Sequence, residues 1–322
     1  MTINVALLGA GRMGMIHYEN LLKIPDVKVN YIYDPNIQQD ISVSNLTTVL
    51  EDPKVEACII ATPSSTHMEL VKLCAEHGKH IFCEKPISFN IQILENLKNI
   101  IHKNNIKLQV GFNRRFDPSF EKISKLVALG AIGKVQLIKI TNRDPKRPDL
   151  NFVKDSGGLF FDFNIHDFDT LRFISGLEIT EVYAVGDALI QPELKQFNDI
   201  DTALISLKLS NNALAIIDCS RETGYGYDQR LEIFGERGML SLPNLTTTSV
   251  VSMSKTGAQS QRIPFSFVER YKNSYFNELS SFIQCLQQNF SPAPNIDDAI
   301  KAVRVATAAQ KSFEKNSTQS MT

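Results

Sequence analysis

No stretch of this chain reaches the roughly 20 consecutive apolar residues that a membrane span needs. No basic segment precedes the apolar start of the amino terminus, MTINVALLGAG, as it would in a secretory leader. An excess of one charge is missing too. The 34 Lys and Arg stand against 35 Asp and Glu, which leaves no global field to draw in nucleic acid or an anionic membrane surface. The five cysteines, Cys58, Cys74, Cys83, Cys219 and Cys285, are odd in number, scattered and never in a CxxC pair. They read as reduced core residues of a cytoplasmic protein, with neither a disulfide framework nor a metal centre. Low-complexity linkers and internal repeats are also absent. What the chain has is length: 322 residues exceed what one hydrophobic core usually serves, so two domains are expected.

The first informative stretch is near the start. Residues 3–8 are an apolar run of the kind buried on both faces of a parallel sheet. They lead into Gly9, Ala10, Gly11, Arg12, Met13 and Gly14, a GxGxxG between a strand and a helix predicted over residues 13–24. In such a loop Gly9 makes the tight turn, Gly11 lets a pyrophosphate approach the backbone, and Gly14 lets the helix pack against the sheet. The phosphates then meet the helix N-terminus, with Arg12 and Met13 in its first turn. A second strand, residues 27–33, ends in Asp34, twenty residues after Gly14. An acid there accepts hydrogen bonds from the ribose hydroxyls of NAD and repels the 2′-phosphate of NADP.

Further strand-helix units follow. A strand over residues 55–61 ends at Thr62 and Pro63, with His67 in the first turn of the next helix. Loops at the carboxyl ends of strands are where open α/β sheets bind ligand, so these three are candidate cofactor contacts. The strand at 80–83 ends in Glu84, Lys85 and Pro86, and the one at 107–110 in Gly111, Phe112, Asn113, Arg114, Arg115 and Phe116. Lys85 is placed to aim its ammonium into the cleft.

Residues 156–172, SGGLFFDFNIHDFDTLR, carry the ionisable groups that call for an explanation. The apolar positions fit a buried helix, yet Asp162 and His166 stand four apart, on one helical face, with Asp169 continuing the stripe. Unpaired polar groups in such a setting cost on the order of 1–3 kcal/mol each. Either the pair satisfies itself or it has chemistry to do.

In order, GAGRMG, ATPSSTH, EKP, GFNRRFDP and SGGLFFDFNIHDFD resemble the glucose-fructose oxidoreductase and inositol dehydrogenase superfamily, the Gfo/Idh/MocA family, through nearly the whole chain. GFNRRFDP, TNRDP at 141–145 and YGYDQRLEIFGERG at 225–238 look most like its inositol 2-dehydrogenases. The resemblance implies an NAD-binding Rossmann domain over residues 1–117. It also implies a substrate-binding and oligomerisation domain over 118–322, α/β with a large open mixed, mainly antiparallel sheet, its C-terminal helix packing back on the first domain. The residues suit this independently, with strands at 134–141, 181–189, 202–209, 214–219, 231–234 and 239–242, and closing helices at 276–287 and 297–313. The tail beyond Lys315 is expected to be disordered. An open sheet with an apolar face needs a cover, and with the resemblance this implies a homo-oligomer, dimer or tetramer.

Oxidation of a secondary alcohol needs a base poised near neutrality and a cation to steady the oxygen. His166 suits the first role, since imidazole titrates near pH 6.5 unperturbed; Asp162 is its partner and Lys85 the polariser, parts the family assigns to the same motif positions. A polyol also needs a polar pocket. Asn113, Arg114 and a tyrosine, Tyr225 or Tyr227, are the candidates, with Asp144, Arg147 and Arg115 equally suited to solvated loops. Phe163, after Asp162, is bulky for an inositol enzyme. The reading is NAD-dependent oxidation of a cyclic polyol, myo-inositol to its 2-keto product. The alternatives are another inositol isomer or a sugar derivative, and a non-enzymatic NAD-sensing regulatory protein.

Overall fold

The computed structural model describes residues 2–35 and 40–321, and the chain divides into two compact units. Met1–Asp117 with Asn273–Val303 forms the first, and Pro118–Lys272 with Arg304–Thr322 the second.

In the first unit the chain runs β1 (Ile3–Leu8), α1 (Arg12–Leu21), β2 (Val27–Tyr33), β3 (Ser42–Val43), α2 (Leu46–Glu51) and β4 (Ala57–Ile60). It continues through α3 (Ser64–Glu76), β5 (His80–Glu84), α4 (Ile91–Lys103) and β6 (Leu108–Gly111). All neighbouring strands are parallel, in the order β3-β2-β1-β4-β5-β6. Because β1 is central and the chain winds outward from it in both directions, the loops after β1 and β4 lie together where the order reverses. That is where the GxGxxG and Thr62-Pro63 segments emerge. The strands form because their near-continuous apolar runs are covered on both faces: Val5, Leu7, Ile59 and Phe82 pack on one side with Leu21, Leu279 and Phe282.

The second unit starts with α5 (Pro118–Ala128), β7 (Val135–Arg143) and α6 (Leu150–Ser156), then a π-helical turn (Leu159–Phe163) and α7 (Ile165–Ser175). Strands β8 (Ile179–Asp187), β9 (Thr202–Leu209), β10 (Leu214–Ser220), β11 (Asp228–Gly235) and β12 (Gly238–Leu242) follow, then a separate exposed hairpin, β13 (Val251–Ser254) and β14 (Gly257–Ser260). Helices α8 (Phe267–Arg270), α9 (Lys272–Gln287) and α10 (Ile296–Lys315) precede a last strand, β15 (Gln319–Ser320). From Asn273, α9 groups with the first unit, as does α10 through Val303.

The large sheet has the order β12-β11-β7-β10-β9-β8-β15 and is mixed: only β7 and β10 pair in parallel. Its strands alternate as a half-covered sheet must, with Ala203, Ile205, Leu207 and Leu209 buried and Leu204 and Ser206 outward. The tail departs from expectation. Gln319 and Ser320 pair with Val182 and Glu181, so the polar tail extends β8 instead of being disordered. The bonds are between backbones, which side-chain polarity does not reveal.

Candidate active site

The nucleotide side is built by β1 running into α1. Gly9 has φ +91°, and a Cβ on it would lie 2.8 Å from the Ala61 carbonyl. One on Gly14 would lie 2.0 Å from the Gly9 oxygen, whereas one on Gly11 would meet nothing within 4 Å. Two glycines are thus demanded by packing and the third leaves open space over the backbone, which fits a pyrophosphate. Gly11 caps α1 without a side chain and no acid occupies its first turn, so the N-terminal amides and dipole suit an anion. Asp34 accepts a 2.8 Å hydrogen bond from the Ala10 amide, tying the end of β2 to the glycine loop. Arg12 is exposed and Met13 half-buried at this edge.

His67 lies beneath the loops that follow β4 and β5. Its ring is buried, with Nδ1 2.9 Å from the Pro86 carbonyl and Nε2 2.8 Å from the Thr62 carbonyl. Burial lowers its pKa, while the two carbonyl contacts oppose that shift. The ring nitrogens face these two backbone carbonyls, so His67 sits between the Thr62-Pro63 and Lys85-Pro86 loops. Glu84 also differs from expectation: its buried carboxylate turns inward to His17 Nε2, 2.7 Å away, which leaves only its backbone toward the loop. Lys85 is half-buried at the end of β5, before a cis bond to Pro86. Asn113 and Arg114 are buried in a 3-10 turn after β6, and Arg115 bonds Asp298 at 2.8 Å.

The substrate side is organised by Gly157 and Gly158, with φ +79° and +83°. They turn the chain from α6 into the π-helical segment, and α7 begins only after Asn164. Asp162 and His166 therefore do not share one continuous α-helix; a π turn and a joint separate them. Exposure still singles them out: among residues 159–172 only Phe161, Asp162 and His166 are not buried. Asp169 leaves the stripe, being buried 4.0 Å from Arg172. Phe163 is buried, its ring 5.8 Å from the Arg221 guanidinium.

Several residues here carry no motif. Arg221 is fully buried, with Nη1 3.4 Å from Asp162 and Nη2 3.9 Å from Asp199, while Asp199 accepts the Leu159 amide at 2.8 Å. Beneath the joint, Asp167 accepts from Asn164 at 2.9 Å and from Asn142 at 2.8 Å, and Gln229 donates to Asn142. The only sequence signal for Arg221 is a charged residue directly after an alternating strand. The two tyrosines part company: Tyr227 is buried edge-on against Tyr271, whereas Tyr225 is exposed and bonded to Asp228 at 2.7 Å and Arg143 at 3.1 Å. Asp144 is half-buried, and Arg147 reaches the Ile190 carbonyl at 3.4 Å.

Residues 3–112 match the model of the oxidoreductase family with an NAD-binding Rossmann fold, and residues 120–241 that of the GFO/IDH/MocA C-terminal domain. The chain belongs to the GFO/IDH/MocA family. It is 42% identical over 321 residues to the uncharacterized oxidoreductase YrbE of Bacillus subtilis, covering 97% of this chain and 94% of that protein. It is 38% identical over 323 residues to the myo-inositol 2-dehydrogenase of Thermotoga maritima, covering 97% of each. Among solved structures, scyllo-inositol dehydrogenase from Lactobacillus casei with bound NAD(H) and scyllo-inositol superposes with a TM-score of 0.92 at 29% identity, covering 100% and 99% of the two chains. As a GFO/IDH/MocA member the chain is an NAD-dependent oxidoreductase, and the glycine loop and Asp34 are the residues that suit the dinucleotide. Among the described residues no helix is long and apolar enough to cross a membrane.

Proposed function

We propose that this enzyme oxidises a ring hydroxyl of a cyclic polyol to a ketone, with myo-inositol the first candidate and 2-keto-myo-inositol the product. The observation that carries the reading is that Asp162 and His166, with Phe161, stay partly exposed in a segment otherwise buried. His166 takes the hydroxyl proton, Asp162 steadies the imidazole or a neighbouring hydroxyl, and Lys85 stabilises the charge growing on the oxygen. The dinucleotide, when bound, supplies a hydride acceptor. His166 would hold the hydroxyl proton as the alcohol carbon is oxidised, and the glycine loop with Asp34 would hold the dinucleotide that takes the hydride. Cofactor contacts are assigned to Gly9, Gly11, Arg12, Met13, Gly14, Asp34, Thr62 and Pro63, the Glu84 backbone, Lys85 and Arg114. Asn113, Arg114 and Tyr225 are assigned to substrate hydroxyls.

The second reading is a different isomer, supported by the likeness to the Lactobacillus casei scyllo-inositol dehydrogenase. A panel of inositol isomers and pyranoses, read by NADH absorbance, separates the two: highest kcat/KM on myo-inositol supports the first. An Asp34→Ser variant is expected to move preference toward NADP, because the acid that repels the 2′-phosphate is gone.

A homo-oligomer is part of the same proposal. On the outer sheet face Met239, Phe234, Leu137 and Leu214 form one apolar row, each paired in register with the next across four strands. All four are between 42% and 56% exposed, an apolar patch that a second copy would cover.

A further inference from the structure

Behind the Lys85 turn, three ionisable side chains from three elements of the first unit converge: His17 of α1, Glu84 of β5 and Glu278 of α9. Their candidate donor atoms all lie within 4.8 Å of one another. His17 and Glu278 are completely buried. His17 Nε2 is 2.7 Å from Glu84 Oε1, and the imidazole is held edge-on to Phe82 and Tyr275. Among the described residues neither Glu278 oxygen has a hydrogen-bond partner. The remaining neighbours are neutral: Gln109 of β6 donates to the Glu278 carbonyl at 2.8 Å, and Gly111 beside it leaves room for Glu84, since a Cβ there would lie 2.9 Å from Glu84 Oε2.

Two buried carboxylates this close cannot both be ionised without a compensating charge. A divalent cation is one solution, though the direct 2.7 Å hydrogen bond between His17 and Glu84 needs none. The other solution is a proton.

We propose that Glu278 is a neutral acid in the working enzyme, its buried carboxyl held protonated beside Glu84, and so acts, with His17, as a positioning residue for the turn that presents Lys85. Burial, with the charge of Glu84 added, pushes the Glu278 carboxyl well above the ordinary carboxylate range. The assignment rests on Lys85 being the polarising group.

The unfolded chain releases the Glu278 proton near the ordinary carboxylate pKa, while the folded chain keeps it to higher pH. Over that window the folded state binds more protons, so the wild type loses stability as pH rises through it. Glu278→Gln keeps the size and polarity of the protonated acid beside Glu84 and cannot ionise. The expected results are three: a protonated-carboxyl C=O band in the wild-type infrared spectrum at pH 7 that vanishes in E278Q; a Tm advantage of E278Q that grows with pH; and kcat reduced by about tenfold or more in Glu278→Leu but largely recovered in E278Q, with NADH affinity unchanged. A missing acid band, a Tm difference flat with pH, Gln no better than Leu, or one bound divalent metal per chain that E278Q loses would each overturn it. The spectrum and the melting curves need no turnover, so they judge Glu278 even if no polyol is oxidised, whereas undiminished kcat in Lys85→Met would count against the Lys85 role alone.

Discussion

At the scale of single residues, the glycine loop separates fold from function cleanly. Gly14→Ala places a methyl 2.0 Å from the Gly9 oxygen, and α1 must move to admit it. We expect a loss of about 1–3 kcal/mol or more in a denaturant titration, with NADH binding abolished. Gly11→Ala meets nothing in the protein and has φ −67°, so its stability should stay within about 0.5 kcal/mol of wild type. Its NADH affinity should nevertheless fall, because the methyl occupies the space over the backbone; unchanged affinity would remove Gly11 from the cofactor site. These roles were legible because turn, amide and helix start are local to six residues, and Asp34 lies at a fixed distance along one strand-helix-strand unit. His67 was legible only in part: its place in the first helical turn is visible in sequence, but the Pro86 carbonyl beside its ring is 19 residues away. Glu278 and Arg221 were invisible for the same reason, their partners being brought together only by the fold.

At the scale of elements, the π turn between α6 and α7 shapes the substrate side. An i to i+4 pair reads as one helical face, yet Gly157 and Gly158 adopt left-handed φ and send the chain into a wider turn. Such turns recur at functional sites, where they re-aim side chains that a regular helix would bury. Arg221 and Asp199 hold the turn in place through the Leu159 amide and the Asp162 carboxylate. Arg221→Leu should cost about 3–5 kcal/mol, since it strands Asp199 and part of Asp162 without a cation. A fold that survives should show kcat falling more than KM rises. A melting curve indistinguishable from wild type would mean the carboxylates find other partners. The strands were legible from alternation and apolar runs, with ends off by one to three residues. The π turn, β3, the β13-β14 hairpin and β15 were not, because none follows from hydrophobic period.

At the scale of the whole molecule, family membership accounts for the two units, one with an NAD-binding Rossmann fold and one with the family's C-terminal domain. The outer sheet face makes its own prediction. Leu137→Asp with Leu214→Asp puts two charges into adjacent positions of the apolar row, and the protein should elute at a lower mass in size-exclusion chromatography with light scattering. Wild type eluting as a monomer would remove the oligomer from the account. Composition and charge balance excluded nucleic acid as an expected partner, but they do not choose among polyol stereoisomers, since that choice depends on where a few hydroxyl-binding side chains point.

The central claim is that His166 removes a proton from a polyol hydroxyl while NAD accepts the hydride. The most direct measurement is NADH formation from NAD and myo-inositol, following wild type beside His166→Ala at equal NADH affinity. The account predicts turnover by the wild type and a loss of about 100-fold or more in kcat for the variant, as expected on removing a positioned general base. Full turnover in His166→Ala, or firm NADH binding with no turnover on any inositol or sugar, would contradict it.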